Sequence, residues 1–335
     1  MGIPKETAIE TVLVTGGTGF VGSHTIELLL QRGFHVRCLV RYSRPDLGWI
    51  SNLPIEIVRG SYYSVDSLKP ALKDVDYVLH IAGVTKAKRP GDFHDGNVLA
   101  TKNLLEAATD NPRLKKFTFI SSLAAAGPSL DGTPLREDSH GTPITTYGVS
   151  KLEAETVCHL YANRIPIVIL RPPAVYGPRD SDILQIFQWV KKRIEPVFGT
   201  HHKQLSLIYG PELARAIIDV TLSDRTTGET YFVSDPKIYT LSEILEAAAR
   251  ILARRTVRVR FPAFLLYAMA GTWELLTSFS TSPPTLNVEK ARDLLQPYWV
   301  CDPGKLREHI GFQVQVTLEE GLRSTIDWYK EFGWL

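Results

Sequence analysis

Short apolar runs alternate with helical patterns along the first half of the chain. The runs are continuous rather than alternating, as in parallel strands that are buried on both faces. They read TVLVT (11–15), HVRCLV (35–40), IEIVRG (55–60), DYVLHIAG (76–83), KFTFISS (116–122) and IPIVILRP (165–172). Helical patterns such as HTIELLLQRG and ATKNLLEAATD lie between them. This alternation predicts an α/β fold with a doubly wound parallel sheet.

The alternation stops after Pro172, where RPPAVYGPRD reads as a loop. Helical patterns at 182–193 and 211–222 then precede a strand at 229–235, a helix at 240–252 and an amphipathic end at 317–332. We expect a layered domain over residues 1–175, to which 205–235 returns. Residues 176–335 are expected to form mainly a smaller C-terminal lid.

Composition narrows the class of protein. The 335 residues carry a net charge of +2, with 38 basic and 36 acidic residues, so nucleic acid is not expected as a partner. Cys38, Cys158 and Cys301 are too far apart to form a CxxC motif. They indicate a reducing cytoplasm rather than a disulfide framework. No metal site is expected, because the pair His201-His202 has no third ligand at a suitable spacing.

A glycine-rich loop, TGGTGFVG, joins the first strand to the first helix. Gly16, Gly19 and Gly22 allow a tight turn and let a pyrophosphate approach the backbone N–H groups at the helix start. The spacing is GxxGxxG, and a tight turn without a ligand would use the same residues. The loop nevertheless favours a dinucleotide-binding domain of the Rossmann type.

The end of the second strand, CLVRYSRPD, bears on the choice of dinucleotide. An acidic residue there would hold a ribose 2′-OH, whereas an arginine suits a 2′-phosphate. Arg41 occupies this position and Ser43 and Arg44 follow, which favours NADP(H) and leaves NAD(H) open. The alternative is that Arg41 is an ordinary solvated residue.

Tyr147 and Lys151, in YGVSK, share one face of a predicted helix. A nearby ammonium favours the phenolate and lowers the tyrosine pKa, which makes Tyr147 a candidate acid/base. Ser121 and Ser122 end the fifth strand, where such sheets bind ligands. A tyrosine and a lysine on the protein surface without a catalytic role would have the same Tyr-x-x-x-Lys spacing.

Taken together, TGGTGFVG, HIAG, GNVLATKNLLEAA, the serine pair, YGVSK and LRPPAVYGP resemble the extended short-chain dehydrogenase/reductase family (NAD-dependent epimerase/dehydratase). The resemblance covers roughly residues 10–235. It implies that Ser122, Tyr147 and Lys151 are catalytic. It places the remaining cofactor contacts at Gly16, Gly19, Phe20, Val21, Gly22, Ala82, Gly83, Val84, Ser121, Pro172 and Val175. It also implies a homodimer built from the helices near 98–109 and 147–162.

The sequence departs from the family pattern at several places. RGSYY replaces the usual Gly-Asp after strand three, so Ser61 and Tyr62 would have to meet the adenine. Leu123, Ala124 and Ala125 stand where dehydratases carry an Asp-Glu pair. The stretch SSLAAAGP is more similar to the 3β-hydroxysteroid dehydrogenase and dihydroflavonol reductase branches.

Basic residues run into an apolar helix over 253–279. Such a pattern is typical of interfacial segments, so 261–279 would contact a lipid substrate or a membrane surface peripherally. The alternative is that this helix simply covers the core of the lid.

Three functions remain open from the sequence. The leading hypothesis is an NADP(H)-dependent oxidoreductase for a secondary alcohol or ketone on an apolar small molecule, sterol-like or flavonoid-like. The second is a nucleotide-sugar epimerase with tightly bound NAD, and the third is a non-catalytic NADP(H) sensor.

Overall fold

A computed structural model describes residues 9–199, 203–277 and 286–335. Its strands are β1 (Thr11–Thr15), β2 (His35–Arg41), β3 (Glu56–Gly60), β4 (Tyr77–His80), β5 (Lys116–Ile120), β6 (Ile167–Arg171), β7 (Ala174–Tyr176), β8 (Ile194–Phe198), β9 (Gln204–Leu205), β10 (Leu207–Tyr209), β11 (Thr230–Phe232), β12 (Tyr239–Thr240), β13 (Val257–Phe261) and β14 (Tyr298–Trp299).

The helices are α1 (Phe20–Gln31), α2 (Val65–Leu72), α3 (Pro90–Phe93), α4 (Ala100–Ala108), α5 (Leu123–Ala126), α6 (Thr146–Tyr161), α7 (Leu184–Lys191), α8 (Gly210–Leu222), α9 (Leu241–Ile251), α10 (Ala263–Thr277), α11 (Val288–Leu295), α12 (Gly304–Ile310) and α13 (Leu318–Glu331). A π-helical turn, His94–Leu99, joins α3 to α4. Short 3₁₀ turns lie at Gly48–Ile50 and Asp224–Thr226.

Within the described ranges, seven parallel strands form the main sheet in the order β11-β6-β5-β4-β1-β2-β3. The predicted doubly wound parallel sheet is confirmed. The strand order reverses between β1 and β4, so the carboxyl ends of these two strands open a crevice.

Both faces of the sheet are covered by helices, which explains the continuous apolar runs. Successive side chains of a strand point to opposite faces. Val12 and Val14 therefore pack with Ile26 of α1 and Ile217 of α8. Leu13 packs on the other face, in the cluster that also holds the apolar residues of α2, α4 and α6.

The C-terminal half has its own apolar cluster between α7, α9 and α13. Apart from β11, which joins the main sheet, its described strands pair in three small sheets, β10-β7, β12-β9-β14 and β13-β8. The segment read as a loop, RPPAVYGPRD, contains β7, which pairs with β10. That prediction is wrong for Ala174–Tyr176, because the partner strand lies more than 30 positions further along the chain and leaves no local signal.

Candidate active site

The glycine loop turns from β1 into α1 at the crevice. Gly16 has φ = +74°, a conformation that favours glycine, and a methyl group on it would lie 2.7 Å from the backbone nitrogen of Ala82. A methyl group on Gly22 would lie 2.3 Å from the Gly16 carbonyl oxygen. The glycine loop thus packs so closely against the β4 loop and against the start of α1 that a side chain at either glycine would clash.

The start of α1 fits a diphosphate group. Gly19 is the N-cap, no side chain among the described residues caps the helix, and its first turn holds no acidic residue. The N–H groups of Phe20, Val21 and Gly22 therefore suit an anion, which the helix dipole also favours. The Phe20 ring packs against Gly210, where a methyl group would lie 2.6 Å from it, so this side chain anchors the helix start.

Arg41 and Arg44 lie exposed at the carboxyl end of β2, with Ser43 between them. Neither arginine forms an ion pair with any residue that the structure describes. Arg59 of β3 donates from Nη1 to the carbonyl oxygens of Arg41 (3.3 Å) and Arg44 (2.9 Å). Arg59 thus holds the loop that presents the two free guanidinium groups, a contact that the sequence analysis does not foresee.

Ser61 and Tyr62 follow β3, and Ser61 is half-buried whereas Tyr62 is buried. The Ser61 N–H donates to Ser67 Oγ at 2.9 Å. The Tyr62 side chain is buried, with its ring 6.4 Å from that of His80, and burial raises the pKa of its phenol. The Tyr62 ring therefore packs in the core beside His80.

The loop Ala82–Val84 leaves β4 and is locked by Asn97. The buried Asn97 amide accepts from the Val84 N–H (2.7 Å) and donates to the Val84 carbonyl (3.0 Å) and to Ser150 Oγ of α6 (2.9 Å). A methyl group on Gly83 would lie 3.7 Å from Lys151 Nζ. The structure thus brings the β4 loop and the YGVSK helix together, with Asn97 between them.

Tyr147 and Ser122 meet at the starts of two neighbouring helices. Thr145 caps α6, and Ser122 caps α5 by accepting the Ala124 N–H at 3.1 Å. A methyl group on Gly148 would lie 2.3 Å from the Ala124 carbonyl oxygen, so only glycine allows this approach of α6 to α5. The serine and tyrosine that the sequence analysis pairs are therefore side by side.

The pKa of Tyr147 is shifted in the opposite direction to the prediction. Burial raises the pKa of the phenol above its ordinary value, and only its hydrogen bond with the Ser122 hydroxyl opposes that shift. Lys151 lies on the same helix but points elsewhere: its Nζ donates to the Ile120 carbonyl at 2.6 Å and lies 4.4 Å from the centroid of the Phe119 ring. Tyr147 is therefore protonated at neutral pH.

Lys151 is itself perturbed. Burial lowers the pKa of its ammonium to about 8, although the neighbouring Glu155 and Cys158 raise it. Glu155 lies one turn further along α6 and accepts from Arg171 Nε (2.9 Å) and Nη2 (2.6 Å), and from the Ser121 hydroxyl. Ser121 therefore faces a buried carboxylate.

Glu155 and Arg171 are site residues that the sequence analysis misses. The available signal is that both are charged residues inside apolar elements, Glu155 at i+4 from Lys151 and Arg171 ending a buried strand. Charged residues in such places are almost always paired.

His80 is buried in the core next to the candidate site. The Thr15 hydroxyl accepts from the Ala82 N–H (3.1 Å) and so donates to His80 Nδ1 (2.8 Å), while Nε2 donates to the Thr101 hydroxyl (3.0 Å). Burial, with the charge of Lys151, lowers the pKa of His80 to about 3. A neutral imidazole therefore ties β1, β4 and α4 together.

The remaining predicted positions are placed as follows. Pro172 lies at the end of β6 and accepts the Leu123 N–H at 2.8 Å, and Val175 lies in β7 beside it. The described residues hold no group of three or more His, Cys, Asp or Glu side chains able to bind a metal. His201 and His202 lie outside the described residues.

Known proteins are similar to this chain over nearly its whole length. A ceramide reductase from Caulobacter vibrioides is 28% identical, over 97% of this chain and 96% of the relative. A UDP-glucose 4-epimerase from Vibrio cholerae is 27% identical, over 94% of each chain. The structure of a UDP-glucuronic acid 4-epimerase from Bacillus cereus, in complex with UDP-glucuronic acid and NAD, is similar with a TM-score of 0.76 at 24% identity, over 96% of this chain and 99% of that one.

A family model provides the assignment. The model of the NAD dependent epimerase/dehydratase family matches residues 12–233, from β1 to the end of β11. This range contains the glycine loop, Ser122, Tyr147 and Lys151, and it confirms the resemblance to extended short-chain dehydrogenases/reductases. Since the match spans more than half of the chain, the protein belongs to the NAD dependent epimerase/dehydratase family and is an enzyme of the short-chain dehydrogenase/reductase type.

Proposed function

We propose that the protein is an NADP(H)-dependent oxidoreductase that interconverts a ketone and a secondary alcohol on an apolar substrate. The observation that carries this proposal is the placement of Tyr147 beside Ser122, with Lys151 buried next to Gly83 at the edge of the crevice. These groups suit one proton transfer next to a dinucleotide.

Each residue has one task in the proposed reaction. The nicotinamide cofactor, when bound, supplies or accepts the hydride. The Ser122 hydroxyl holds the substrate oxygen, and the Tyr147 phenol donates a proton to it or takes one from it. Lys151 would contact the cofactor ribose, because its Nζ lies beside Gly83 at the edge of the crevice. Because burial raises the pKa of Tyr147, the phenol is protonated at neutral pH and can donate the proton that ketone reduction requires.

The preference for NADP(H) over NAD(H) rests on Arg41 and Arg44. Their exposed guanidinium groups have no ion pair within the described chain, and Arg59 fixes the backbone between them. A 2′-phosphate would provide the missing anion, since arginine binds phosphate through two parallel hydrogen bonds.

An apolar substrate is favoured by the surroundings of Tyr147. The Phe93 ring lies 6.2 Å from the Tyr147 ring, and Leu123 to Ala125 supply no carboxylate for elimination chemistry. A sterol-like, flavonoid-like or long-chain ketone fits such a wall. The similarity to a ceramide reductase supports a lipid.

The arrangement of the chain is part of the proposal. We place cofactor binding mainly in residues 1–175, substrate binding mainly in 176–335, and the enzyme in the cytoplasm. A homodimer through α4 and α6 is supported by Val149 and Leu160 of α6, which are 41% and 75% exposed. Leu104 and Leu105 of α4 are fully buried in the protomer's own core and contribute nothing to such an interface.

A nucleotide-sugar epimerase is the second candidate, and the similarity to UDP-glucose 4-epimerase favours it. An epimerase reduces and reoxidises its cofactor on one substrate. It would therefore show no net absorbance change of the nicotinamide and would retain NAD through purification. A non-catalytic sensor has no support from membership of an enzyme family.

The test combines binding and turnover. The purified chain is titrated with NADPH and NADH, and lipid ketones and UDP-sugars are then screened for oxidation of the bound dinucleotide. Tyr147→Phe is expected to lower kcat by about 10²–10⁴-fold while NADPH still binds. Tyr161→Phe, at the far end of the same helix, is the control and should keep full turnover. Full turnover in a folded Tyr147→Phe protein would refute the proposal.

A further inference from the structure

Helix α10 leaves most of its apolar surface open to solvent. Phe264, Met269 and Leu276 are 75%, 47% and 68% exposed. The helix buries Leu266 and Ala270, which pack against Ala291 of α11. A surface helix ordinarily carries polar residues on its outer side, so an apolar outer side requires a partner.

Five of the exposed apolar residues of α10 lie on one face. At about 100° per residue, Phe264, Leu265, Leu276, Met269 and Trp273 fall on an arc of roughly 180°. The buried residues Leu266 and Ala270 lie outside this arc, beyond Trp273. Apart from Thr272, the arc carries no polar residue, and folded monomers rarely expose an apolar face of this kind without a binding role.

Positive charge is concentrated in the stretch of chain that leads into this helix. Between residues 247 and 273 the chain has five arginines and no acidic residue. Among these five, Arg258 pairs with Glu195 (2.9 Å) and Glu246 (3.1 Å), and the other four form no ion pair with a described residue. A second basic run, at 191–193, lies beside them, because the Val257 N–H donates to the Arg193 carbonyl at 2.9 Å.

We propose that the surface formed by β13 and α10 docks on an anionic lipid bilayer, with α10 lying in the plane of the interface. The apolar arc would enter the boundary between headgroups and acyl chains, while the unpaired arginines would contact anionic headgroups. No described helix combines the length and the apolar character needed to cross a bilayer.

The charges also decide between a bilayer and a second copy of the chain. A two-fold interface places the same surface on both subunits. Here it would bring together two surfaces of the same positive sign, each with four arginines that form no ion pair with a described residue, which is repulsive. An anionic bilayer satisfies both the apolar arc and the arginines.

Helix α10 is also connected to the candidate active site. It packs on α11, and the Glu289 carboxylate of α11 accepts from the Thr146 N–H (3.2 Å) and from the Thr146 hydroxyl (2.5 Å). Thr146 is the neighbour of Tyr147. Provided that the proposed function is right, docking at α10 brings the catalytic helix close to a bilayer that holds the lipid substrate.

The experiment is co-sedimentation of the full chain with phosphatidylcholine vesicles, with and without 30% phosphatidylserine, in the absence of cofactor and substrate. We expect binding to the anionic vesicles that weakens as salt rises. The triple variant Phe264→Gln/Met269→Gln/Leu276→Gln should bind at least about tenfold more weakly. Arg254→Gln/Arg255→Gln should lose about 30-fold in affinity for anionic vesicles. Leu130→Gln, at an apolar residue that is 90% exposed elsewhere, is the matched control.

Several results would overturn the proposal: wild-type protein that ignores both vesicles, a triple variant that binds like wild type, or equal binding with and without phosphatidylserine. Loss of a dimer in the triple variant, without any vesicle binding by the wild type, would assign the surface to a second copy. Turnover of a short water-soluble ketone separates this proposal from the proposed function. The triple variant should keep that turnover, whereas Tyr147→Phe should lose it.

Discussion

Behind the candidate catalytic lysine, one buried carboxylate serves two partners. Glu155 is 2% exposed, and it holds both the Arg171 guanidinium and the Ser121 hydroxyl. The Nη1 atom of Arg171 is buried and has no hydrogen-bond partner among the described residues. Among the described residues, Glu155 is the one carboxylate that pairs with Arg171, whose guanidinium also lies 5.7 Å from the centroid of the Phe232 ring.

Replacing Glu155 by glutamine should destabilise the protein strongly. The change leaves the Arg171 charge buried and unpaired, which costs about 3–5 kcal/mol in the free energy of unfolding. Denaturant unfolding measures this loss. Since the Glu155 charge raises the pKa of Lys151, that pKa should also fall below about 8.

Two further variants check the explanation. Glu229→Gln breaks a partly exposed pair with Lys305 (2.8 Å) and should cost less than about 1 kcal/mol. Glu155→Leu combined with Arg171→Met removes both charges and should recover much of the lost stability. Equal losses for Glu155→Gln and Glu229→Gln would contradict the buried-charge argument.

His80 should make the fold sensitive to acid. Its pKa is about 3 in the folded protein and 6.5 for an ordinary histidine, so between these values only the unfolded chain takes up the proton. The stability linked to His80 is complete above pH 6.5 and declines by about 1.4 kcal/mol per unit as the pH falls from 6.5 toward 3.

The measurement is the free energy of unfolding at pH 7, 6 and 5. His80→Gln should show a flatter decline than wild type, whatever its stability at pH 7. His35→Gln replaces an exposed histidine and should leave the slope unchanged. Identical slopes for wild type and His80→Gln would argue against a neutral buried imidazole.

At the scale of the elements, the π-helical turn His94–Leu99 is the junction of the site. It carries Asn97, whose amide holds both backbone groups of Val84 and the Ser150 hydroxyl. Such turns often occur where a helix must present a side chain to a functional site. Here the turn fixes the β4 loop against α6 and so sets the distance between Gly83 and Lys151.

Asn97→Ala should cost about 3 kcal/mol of stability, because it removes the partners of two partly buried backbone groups of Val84 and of the buried Ser150 hydroxyl. Weaker NADPH binding should accompany the loss, since the β4 loop is released. The control is Asn103→Ala on α4, which removes one hydrogen bond to the Tyr62 carbonyl (2.7 Å) and should cost about 1 kcal/mol. Thermal melts with and without NADPH give both quantities. An Asn97→Ala protein as stable as Asn103→Ala would rule out this role of the turn.

At the scale of the whole molecule, two exposed apolar residues of α6 lie in line along one side of the helix. Val149 and Leu160 are eleven residues apart and therefore only about 20° apart around the helix. They lie on the side of α6 away from its buried residues, such as Ala154 and Cys158. This line is the surface on which the proposed homodimer depends.

Leu160→Glu should therefore shift the protein from dimer to monomer, because a charge replaces an apolar contact at the subunit interface. Sedimentation equilibrium measures the shift, which we expect to exceed about tenfold in the dissociation constant. Leu130→Glu, at an exposed residue outside α6, should leave the dimer intact. A wild-type protein that is monomeric at micromolar concentration would exclude the dimer.

Much of the fold could be predicted from the pattern of apolar and polar residues along the chain. Strands buried on both faces must be continuously apolar, so β1 to β6 were visible as runs, and the glycine loop marked the turn into α1. The strand β7 was missed, because three residues that pair with a distant strand leave no periodic signal. The position of Ser122 was predictable because it follows the end of β5, where the crevice opens. The contact of Tyr147 with Ser122 was implied only by the resemblance to the family, because a long loop separates α5 from α6.

The sequence by itself determined the layered α/β fold, the anion-binding loop and the placement of Tyr147 and Lys151 on one helical turn, because these depend on local spacing. The tertiary structure alone decided the direction of the Lys151 ammonium, the raised pKa of Tyr147, the Glu155–Arg171 pair and the exposure of α10. Each of these depends on which atoms of distant segments lie within a few ångströms, and on how much water they exclude. No periodicity along the chain contains that information.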